Sequence, residues 1–166
     1  MSITLRSEHF KRDFDYLIYK DGDYYKILNG DSLAIDYKDE DAATAIAKAI
    51  EYSEGGKIFL KNAEYPLSSV VSLKSNILLE SEGNAILRAN NDDGALKAEG
   101  AENILIRNLK IVGYDYTKGI GLHLKDCNRC RIENVYFEEF NDICYLQNTN
   151  QSIVQNCSLD GPVEPL

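Results

Sequence analysis

The stretch from Leu96 to Gly161 repeats itself three times, and this limits the possible folds more than any other feature of the chain. When the copies are aligned, an asparagine recurs in one register, at Asn108, Asn134 and Asn156, with spacings of 26 and 22 residues. Each copy also alternates apolar and polar residues, as strands do. Repeats of this size are typical of solenoids, in which each repeat forms one turn of a stack. The sequence therefore predicts an all-β fold of stacked turns.

Alternation sorts the side chains into inward and outward sets, because successive residues of a strand point to opposite faces. The predicted inward positions are Ile77, Leu79, Ile104, Ile106, Cys130, Ile132, Ser152 and Val154 on one sheet, and Leu109, Ile111, Val135, Phe137, Cys157 and Leu159 on the next. The recurring asparagines fall between the two sets, at a predicted bend. An asparagine there can satisfy the turn backbone and bond its neighbour one turn away, at about 4.8 Å. We interpret Asn108, Asn134 and Asn156 as a structural ladder.

All four cysteines lie in the repeat. Three of them take the register of an aliphatic residue in the preceding copy: Cys130 that of Ile104, Cys144 that of Leu122 and Cys157 that of Val135. This favours small buried hydrophobic residues, with a disulfide as the alternative. Cys127-Asn-Arg-Cys130 matches half of a zinc motif, but no second close pair accompanies it, so no metal site is expected.

The segment before the repeat predicts a cap for the stack. Two aromatic-rich runs flank Asp21-Gly22, which indicates a hairpin because glycine supplies the positive φ of a tight turn. A turn at Asn29-Gly30 and a strand over 33–37 follow. Acidic residues then precede an alanine-rich segment, 42–52, whose single apolar stripe predicts a helix ended by Gly55-Gly56. That stripe must be buried, and the open end of the stack offers the place.

We divide the chain into an N-terminal arm, hairpin and capping helix over residues 1–56 and the turns of the solenoid over residues 57–166, within a single domain. Tyr65-Pro66 predicts a turn, and residues 90–94 and 113–119 predict longer loops. The run after Asp160 contains two prolines and is not expected to continue a regular strand.

The composition of the chain disfavours several classes of function. Lys and Arg number 18 against 27 Asp and Glu, a formal net charge of −9, so repulsion from phosphate disfavours a nucleic-acid partner. No apolar run reaches the roughly 18 residues of a membrane span, and the first ten residues lack the apolar core of a secretory signal. No cofactor is expected.

Residues 41–77 resemble a known superfamily. The matching positions are Asp41-Ala-Ala, Ile46, Ala49-Ile50, Gly55-Gly56-x-Ile58-x-Leu60, Tyr65 and Leu73-x-Ser-Asn-Ile77. This run resembles the N-terminal cap and first coils of right-handed parallel β-helices of the pectate-lyase-like superfamily, which includes polysaccharide lyases, glycoside hydrolases and viral tailspikes and fibres. The resemblance extends over residues 14–161. It implies a short right-handed parallel β-helix with an N-terminal β-hairpin and a capping α-helix.

The catalytic segments of that superfamily are incomplete here. Of the polygalacturonase segments, Asn148-Thr149 is followed by Asn150 instead of aspartate, Asp92-Asp93 lies in a predicted loop, and His123 lies in Leu-His-Leu. The calcium-binding acids and basic residue of the lyases are not recognised either. The resemblance therefore predicts the fold more firmly than an activity.

Outward positions are where function is expected. One column, Glu80, Arg107, Glu133 and Gln155, alternates charge and predicts cross-strand pairing. Its neighbour, Leu78, Leu105, Arg131 and Ile153, places three large aliphatic residues in an outward row. A soluble monomer seldom leaves such a row in water. We predict that a second subunit covers the row, and the N-terminal hairpin is the alternative cover.

Two further outward groups are candidates for chemistry. Glu138 and Asp160 share a column on adjacent turns, near the roughly 5 Å separation of a retaining glycosidase pair, although an acidic protein also produces such pairs by chance. His123 beside Tyr145 is a candidate sugar contact or an ordinary surface pair. Tyr114 and Tyr116 lie in a predicted loop, where binding residues are common.

These observations predict a non-enzymatic structural and interaction protein. We expect a subunit of an oligomeric fibre, spike or other extracellular or virion assembly, plausibly a trimer, that contacts glycans. The alternative is a polysaccharide lyase or glycoside hydrolase, with Glu138 and Asp160 as its acids.

Overall fold

The computed structural model describes residues 13–160. The predicted N-terminal arm and the proline-containing run 161–166 lie outside the described residues. The elements in chain order are β1 (Tyr16–Asp21), β2 (Tyr24–Asn29), β3 (Ile35–Asp39), α1 (Ala42–Ser53), β4 (Lys57–Leu60), β5 (Glu64–Leu67), β6 (Val71–Ser72), β7 (Leu78–Ser81), β8 (Ile86–Ala89), β9 (Gly94–Glu99), β10 (Leu105–Val112), β11 (Ile120–Lys125), β12 (Arg131–Glu138), β13 (Asp142–Gln147), β14 (Ile153–Gln155) and β15 (Ser158–Asp160).

The strands after α1 stack in parallel as a β-solenoid of about four turns. One sheet holds eleven strands, and a second, four-stranded sheet has the order β13-β11-β9-β6. The larger sheet covers two sides of the stack, because β10 and β12 bend at Asn108 and Asn134, whose φ angles are 57° and 53°. The predicted all-β parallel solenoid is confirmed.

The predicted register is also confirmed. Ile106 pairs with Leu79 on one side and Ile132 on the other, and Ile132 pairs with Val154. The aliphatic positions predicted as inward are buried in the first three turns.

The last turn departs from the predicted burial. Val154 and Leu159 were expected in the core, but they are 43% and 62% exposed, and Ser152 is half-buried. Their register is as predicted. They are exposed because no further turn lies over them among residues 13–160.

The N-terminal strands continue the sheet of the solenoid. β1 pairs antiparallel with β2 as the predicted hairpin, and it pairs in parallel with β4 of the first turn. The predicted strand over 33–37 instead begins at Ile35. The Asn29 side-chain oxygen accepts hydrogen bonds from the amides of Asp31 and Ser32 at 2.9 and 3.1 Å, which holds the chain in a turn through Leu33, whose φ is 61°.

The capping helix forms as predicted. Asp41 is its N-cap and accepts a hydrogen bond from the Thr44 amide at 2.9 Å. Glu54, in the left-handed conformation with φ of 47°, ends it one residue before the predicted glycine stop. Its buried face packs on the first turn and consists of Ala42, Ala43, Ala45, Ile46, Ala49 and Ile50.

The turn predicted at Tyr65-Pro66 is wrong, because both residues lie in β5. Within the described residues β5 pairs only with β8. A strand with a single partner tolerates proline, since the missing N–H can face away from the ladder. Tyr65 is fully buried, and its hydroxyl lies 3.0 Å from the Ile18 carbonyl oxygen. Burial raises the pKa of Tyr65.

All four cysteines are free thiols. Cys127 and Cys130 are buried, whereas Cys144 and Cys157 are half-buried and pack against the core. Burial, together with the nearby Cys157, raises the pKa of the Cys144 thiol to about 11. The core interpretation is confirmed for Cys130, while Cys144 and Cys157 are only partly covered because they belong to the last turn.

Candidate functional site

The outer face of the four-stranded sheet carries one continuous polar column. Ser72, Lys97, His123 and Tyr145 occupy successive turns and pair in register, Ser72 with Lys97, Lys97 with His123 and His123 with Tyr145. Adjacent strands of a sheet lie about 4.8 Å apart, so these four side chains form a line along the axis of the solenoid. We call this line the His123 column.

His123 and Tyr145 form an aromatic pair within the column. Their ring centroids are 5.1 Å apart at an interplanar angle of 64°, an edge-to-face arrangement. The Nε2 atom of His123 is buried and has no hydrogen-bond partner among the described residues. A buried polar atom without a partner is costly.

Two shallow depressions flank the column, and both include Lys97 and His123. One has a volume of about 290 Å³ and is also lined by Ser72, Glu99 and Lys125. The other has a volume of about 490 Å³ and extends over Ser69, Val70 and Asp93 toward Ile120. Together the depressions offer hydroxyl, ammonium, imidazole and carboxylate groups, and the side chains of Lys97 and His123 line both. This mixture suits a neutral or weakly charged polyhydroxyl ligand.

The charges around the column are mostly paired. Lys125 contacts Glu99 at 2.5 Å, and Lys118 of the 113–119 loop contacts Asp92 at 2.8 Å. Within residues 13–160, Lys97 makes no ion pair. Its ammonium group is therefore the cation of the column that is available to a ligand.

Glu138 and Asp160 do come together, on the other side of the stack. They pair in register between β12 and β15. The Lys110 ammonium lies 2.6 Å from Glu138 and 4.9 Å from the Tyr136 ring centroid. Burial, Glu138 and Asp160 raise the pKa of Tyr136. Glu138 is therefore held in an ion pair with Lys110.

The two loop tyrosines, Tyr114 and Tyr116, are not part of the His123–Tyr145 pair. Burial raises the pKa of Tyr116, and the charges of Asp160, Glu139 and Glu138 act in the same direction. Tyr114 is 65% exposed. The structure therefore brings His123 together with Tyr145, and Glu138 together with Asp160, as two separate pairs.

The predicted interface row has the expected register. Leu105 pairs with Leu78 and with Arg131, and Arg131 pairs with Ile153. Leu78 and Leu105 are half-buried instead of exposed, because side chains of the turns above and below flank each of them at the strand spacing. Ile153, in the last turn, is 46% exposed. The row is thus less apolar at its surface than the sequence indicated, and its role as an interface stays a prediction.

The neighbouring column is a network of ion pairs and hydrogen bonds, as predicted. Glu80 is buried and contacts both Lys57, at 2.5 Å, and Arg107. Gln155 donates a hydrogen bond to Glu133 at 2.8 Å. These side chains bind each other across adjacent turns and so stabilise the stack.

Two features follow from the repeat but were not predicted from it: the position of Lys97 and two further left-handed corners. Lys97 occupies the same register as His123 and Tyr145, which placed it in the column. Two further left-handed corners also follow the repeat: Asn76, Asn103, Arg129 and Gln151 form one, and Gly100, Asp126 and Asn148 the other. Side-chain hydrogen bonds join neighbours in both corners, from Asn103 to Asn76 at 2.8 Å and from Asn148 to Asp126 at 3.0 Å.

Residues 13–160 contain neither a helix that is long and apolar enough to cross a membrane nor a cluster of three His, Cys, Asp or Glu side chains suited to a metal ion.

Comparisons with known proteins support the fold. No protein-family model matches the chain, and no curated protein is similar to it in sequence. Among solved structures, the chain is similar to a protein from Parabacteroides merdae ATCC 43184 described as a "putative glycosyl hydrolase". The identity is 14% and the TM-score 0.55, over 74% of this chain and 80% of that chain. At this identity the likeness shows a shared β-helix fold.

Proposed function

We propose that this chain is a non-enzymatic subunit of a homo-oligomeric assembly, of the fibre or spike class found outside cells or on virions, and that it contacts glycans through the His123 column. The pectate-lyase-like resemblance supports this class, since that superfamily includes both tailspikes and sugar-processing enzymes. The description of the Parabacteroides merdae protein connects the same fold with carbohydrate.

The observation that carries the glycan proposal is the His123–Tyr145 pair. The tyrosine ring is half-exposed and presents an apolar surface, while the buried imidazole Nε2 lacks a partner within residues 13–160. A sugar presents both a C–H surface, which matches the exposed tyrosine ring, and hydroxyl groups, which match the polar side chains of the same column. Lys97 and Ser72 extend the contact along the axis, so a chain of sugars lying along the column meets a polar group at every turn.

Binding to a panel of uronans and glucans, measured by isothermal titration, tests this proposal. We expect Tyr145→Ala to weaken binding about fivefold, because a contact with an aromatic ring is worth on the order of 1 kcal/mol. Tyr24→Ala, which removes a partly exposed tyrosine from the N-terminal hairpin, is the matched control and leaves binding unchanged. Equal affinities of Tyr145→Ala and the unaltered chain would contradict the column as the binding surface.

A second candidate is glycoside hydrolysis at Glu138 and Asp160. It is favoured by their pairing on adjacent turns, which matches the roughly 5 Å spacing of retaining enzymes. Measurement of reducing ends released from the same panel separates the two functions. Hydrolysis that disappears in both Glu138→Gln and Asp160→Asn would establish the enzyme, whereas binding without release of reducing ends would support the proposed interaction protein.

A further inference from the structure

The corner between β11 and β12 holds two of the four cysteines. Cys127 and Cys130 are separated by Asn128 and Arg129, and they are only 1% and 0% exposed. Arg129 is in the left-handed conformation, with φ of 53°, so the chain bends between them. Both cysteine side chains belong to the buried core. They therefore lie together on the inner side of one corner.

The two sulfur atoms are neighbours in that corner. The Cys127 thiol donates a hydrogen bond to the Lys125 carbonyl oxygen at 3.2 Å, and the Cys130 thiol donates to the Asn128 carbonyl oxygen at 3.6 Å. Burial raises the pKa of the Cys130 thiol, and the adjacent Cys127 thiol acts in the same direction. A disulfide requires two cysteines whose side chains approach each other from nearby backbone positions, and this corner provides such a pair.

The repeat shows that the corner does not need cysteines for its shape. In register with Cys127 and Cys130, the preceding turn has Ala101 and Ile104, and the following turn has Thr149 and Ser152. Those turns form the same left-handed corner. Packing alone therefore does not explain why both positions of one turn are thiols.

The two thiols match a disulfide better than half of a zinc site. A structural zinc ion takes four ligands, whereas this corner supplies two sulfur atoms, and residues 13–160 contain no group of three His, Cys, Asp or Glu side chains suited to a metal ion. The remaining cysteines, Cys144 and Cys157, lie in the next turn and are half-buried.

We propose that Cys127 and Cys130 form a reversible disulfide that locks the corner between β11 and β12. The oxidant is a small-molecule disulfide, such as oxidised glutathione. One cysteine thiolate attacks a sulfur of the oxidant, which forms a mixed disulfide and releases one glutathione thiolate. The second cysteine thiolate attacks the protein sulfur of the mixed disulfide, which forms the Cys127–Cys130 bond and releases the second glutathione thiolate. The two protons lost by the cysteines are taken up by the two glutathione thiolates.

This inference goes beyond the proposed function and does not depend on it. Disulfides persist in oxidising environments, such as the outside of cells and the surface of virions, where the proposed assembly belongs. The locked corner directly follows β11, the strand that carries His123. A chain that binds no glycan would still form the disulfide.

Refolding the whole chain from urea in a glutathione redox buffer tests the proposal. Buried thiols are unreactive in the folded chain, and unfolding removes that barrier. We expect the equilibrium constant for forming the Cys127–Cys130 disulfide to be at least tenfold larger in the folded chain than in urea, because the fold holds the two thiols together. By the thermodynamic cycle, the folding constant of the oxidised chain then exceeds that of the reduced chain by the same factor.

Tryptic digestion without reduction identifies the pairing. Trypsin cleaves after Lys125, Arg129 and Arg131, which places Cys127 and Cys130 on separate short peptides. The proposed disulfide joins these two peptides, and reduction separates them.

A disulfide between the other two cysteines gives a different product. Cys144 and Cys157 share the peptide 132–166, which contains no Lys or Arg, so a bond between them lowers the mass of that one peptide by two hydrogen atoms. The digest therefore distinguishes every pairing of the four cysteines.

Two variants provide the matched comparison. Cys127→Ala introduces the residue that the preceding turn has in this register, Ala101, so we expect an unchanged circular dichroism spectrum without the joined peptides. Cys144→Ala also removes one thiol but should retain them. Free Cys127 and Cys130 after refolding would overturn the proposal, as would a bond from either to Cys144 or Cys157. Equal equilibrium constants in the folded and unfolded chains would overturn it as well.

Discussion

The two ends of the described solenoid differ in how the apolar core is covered. Each end of the described stack presents the cross-section of the same apolar core to whatever lies next to it. At the N-terminal end, α1 covers the core and leaves Ile46 and Ile50 essentially inaccessible to solvent. At the other end, among the described residues, no element covers the last turn, and Leu159 is more than half exposed.

This difference shows what a cap contributes to a repeat protein. Each turn contacts only its neighbours, so a terminal turn has half the contacts of an internal one. The helix supplies the missing half at one end and presents a polar outer surface. Among residues 13–160, the opposite end keeps the same residue types without such a layer, which is why its aliphatic side chains are exposed.

The largest expected contrast is between two leucines in one register. Leu124 and Leu146 pair directly between β11 and β13, but Leu124 is fully buried and Leu146 is 41% exposed. We expect Leu124→Ala to lower the free energy of unfolding by about 3 kcal/mol, because a buried leucine leaves a cavity. Leu146→Ala should cost under about 1 kcal/mol in the monomer, since less apolar area is lost. Urea denaturation at low protein concentration measures both values.

Protein concentration provides the control for that contrast. If the last turn is covered by a second copy, the cost of Leu146→Ala rises with concentration, because dissociation then contributes to unfolding. The cost of Leu124→Ala stays constant. Equal costs for the two variants at low concentration would mean that the last turn is as well packed as the internal ones.

A second prediction concerns the N-terminal cap. Asp41 accepts hydrogen bonds from the Thr44 amide at 2.9 Å and from the Thr44 hydroxyl at 2.7 Å. Asp41→Ala should lower the free energy of unfolding by about 1 kcal/mol, as the loss of an N-cap usually does. Asp41→Asn retains an acceptor and should lose much less.

The Asp41 contribution also depends on pH. Burial opposes the charged form, but the hydrogen bonds from Thr44, Ser68 and Ala43 together outweigh it and lower the pKa of Asp41 in the folded chain. Its stabilisation is therefore fully present above the unfolded pKa of about 3.9 and disappears as the pH falls through the lower folded value. The difference in stability between the unaltered chain and Asp41→Asn should decrease below about pH 4. A difference that grows on acidification would contradict this assignment.

Much of the fold was predictable because the repeat fixes the register. Once Asn108, Asn134 and Asn156 are aligned, every strand after residue 96 acquires its neighbours and its inward face. The same alignment could not predict the exposure of Val154 and Leu159. Register identifies which side chains point inward, whereas burial also requires a neighbouring layer, and a repeat does not reveal where the layers end.

The candidate site was less predictable for a similar reason. The sequence indicates His123 and Tyr145 as a candidate site because they are aromatic residues in one register. Nothing in the sequence distinguishes Lys97 from other surface lysines. Its importance comes from the two depressions that it shares with His123. The shape of a surface depends on the loops at 90–93 and 113–119, whose paths follow from tertiary packing and not from periodicity.

The smallest predicted effect tests whether the asparagine ladder also differs between the interior and the open end. Asn134 and Asn156 have nearly equal φ angles, 53° and 52°, so replacement by alanine imposes the same left-handed strain on each, at most about 1 kcal/mol. Asn134 also donates a hydrogen bond to the Asn108 side-chain oxygen at 3.1 Å.

We therefore expect Asn134→Ala to cost more than Asn156→Ala, by the roughly 0.5–1 kcal/mol of one hydrogen bond. Asn134→Gly relieves the strain but still loses the bond, so it should fall between Asn134→Ala and the unaltered chain in urea denaturation. If Asn156→Ala were as costly as Asn134→Ala, the left-handed corner alone would account for the asparagines, and the hydrogen bonds between turns would contribute nothing measurable to the stack.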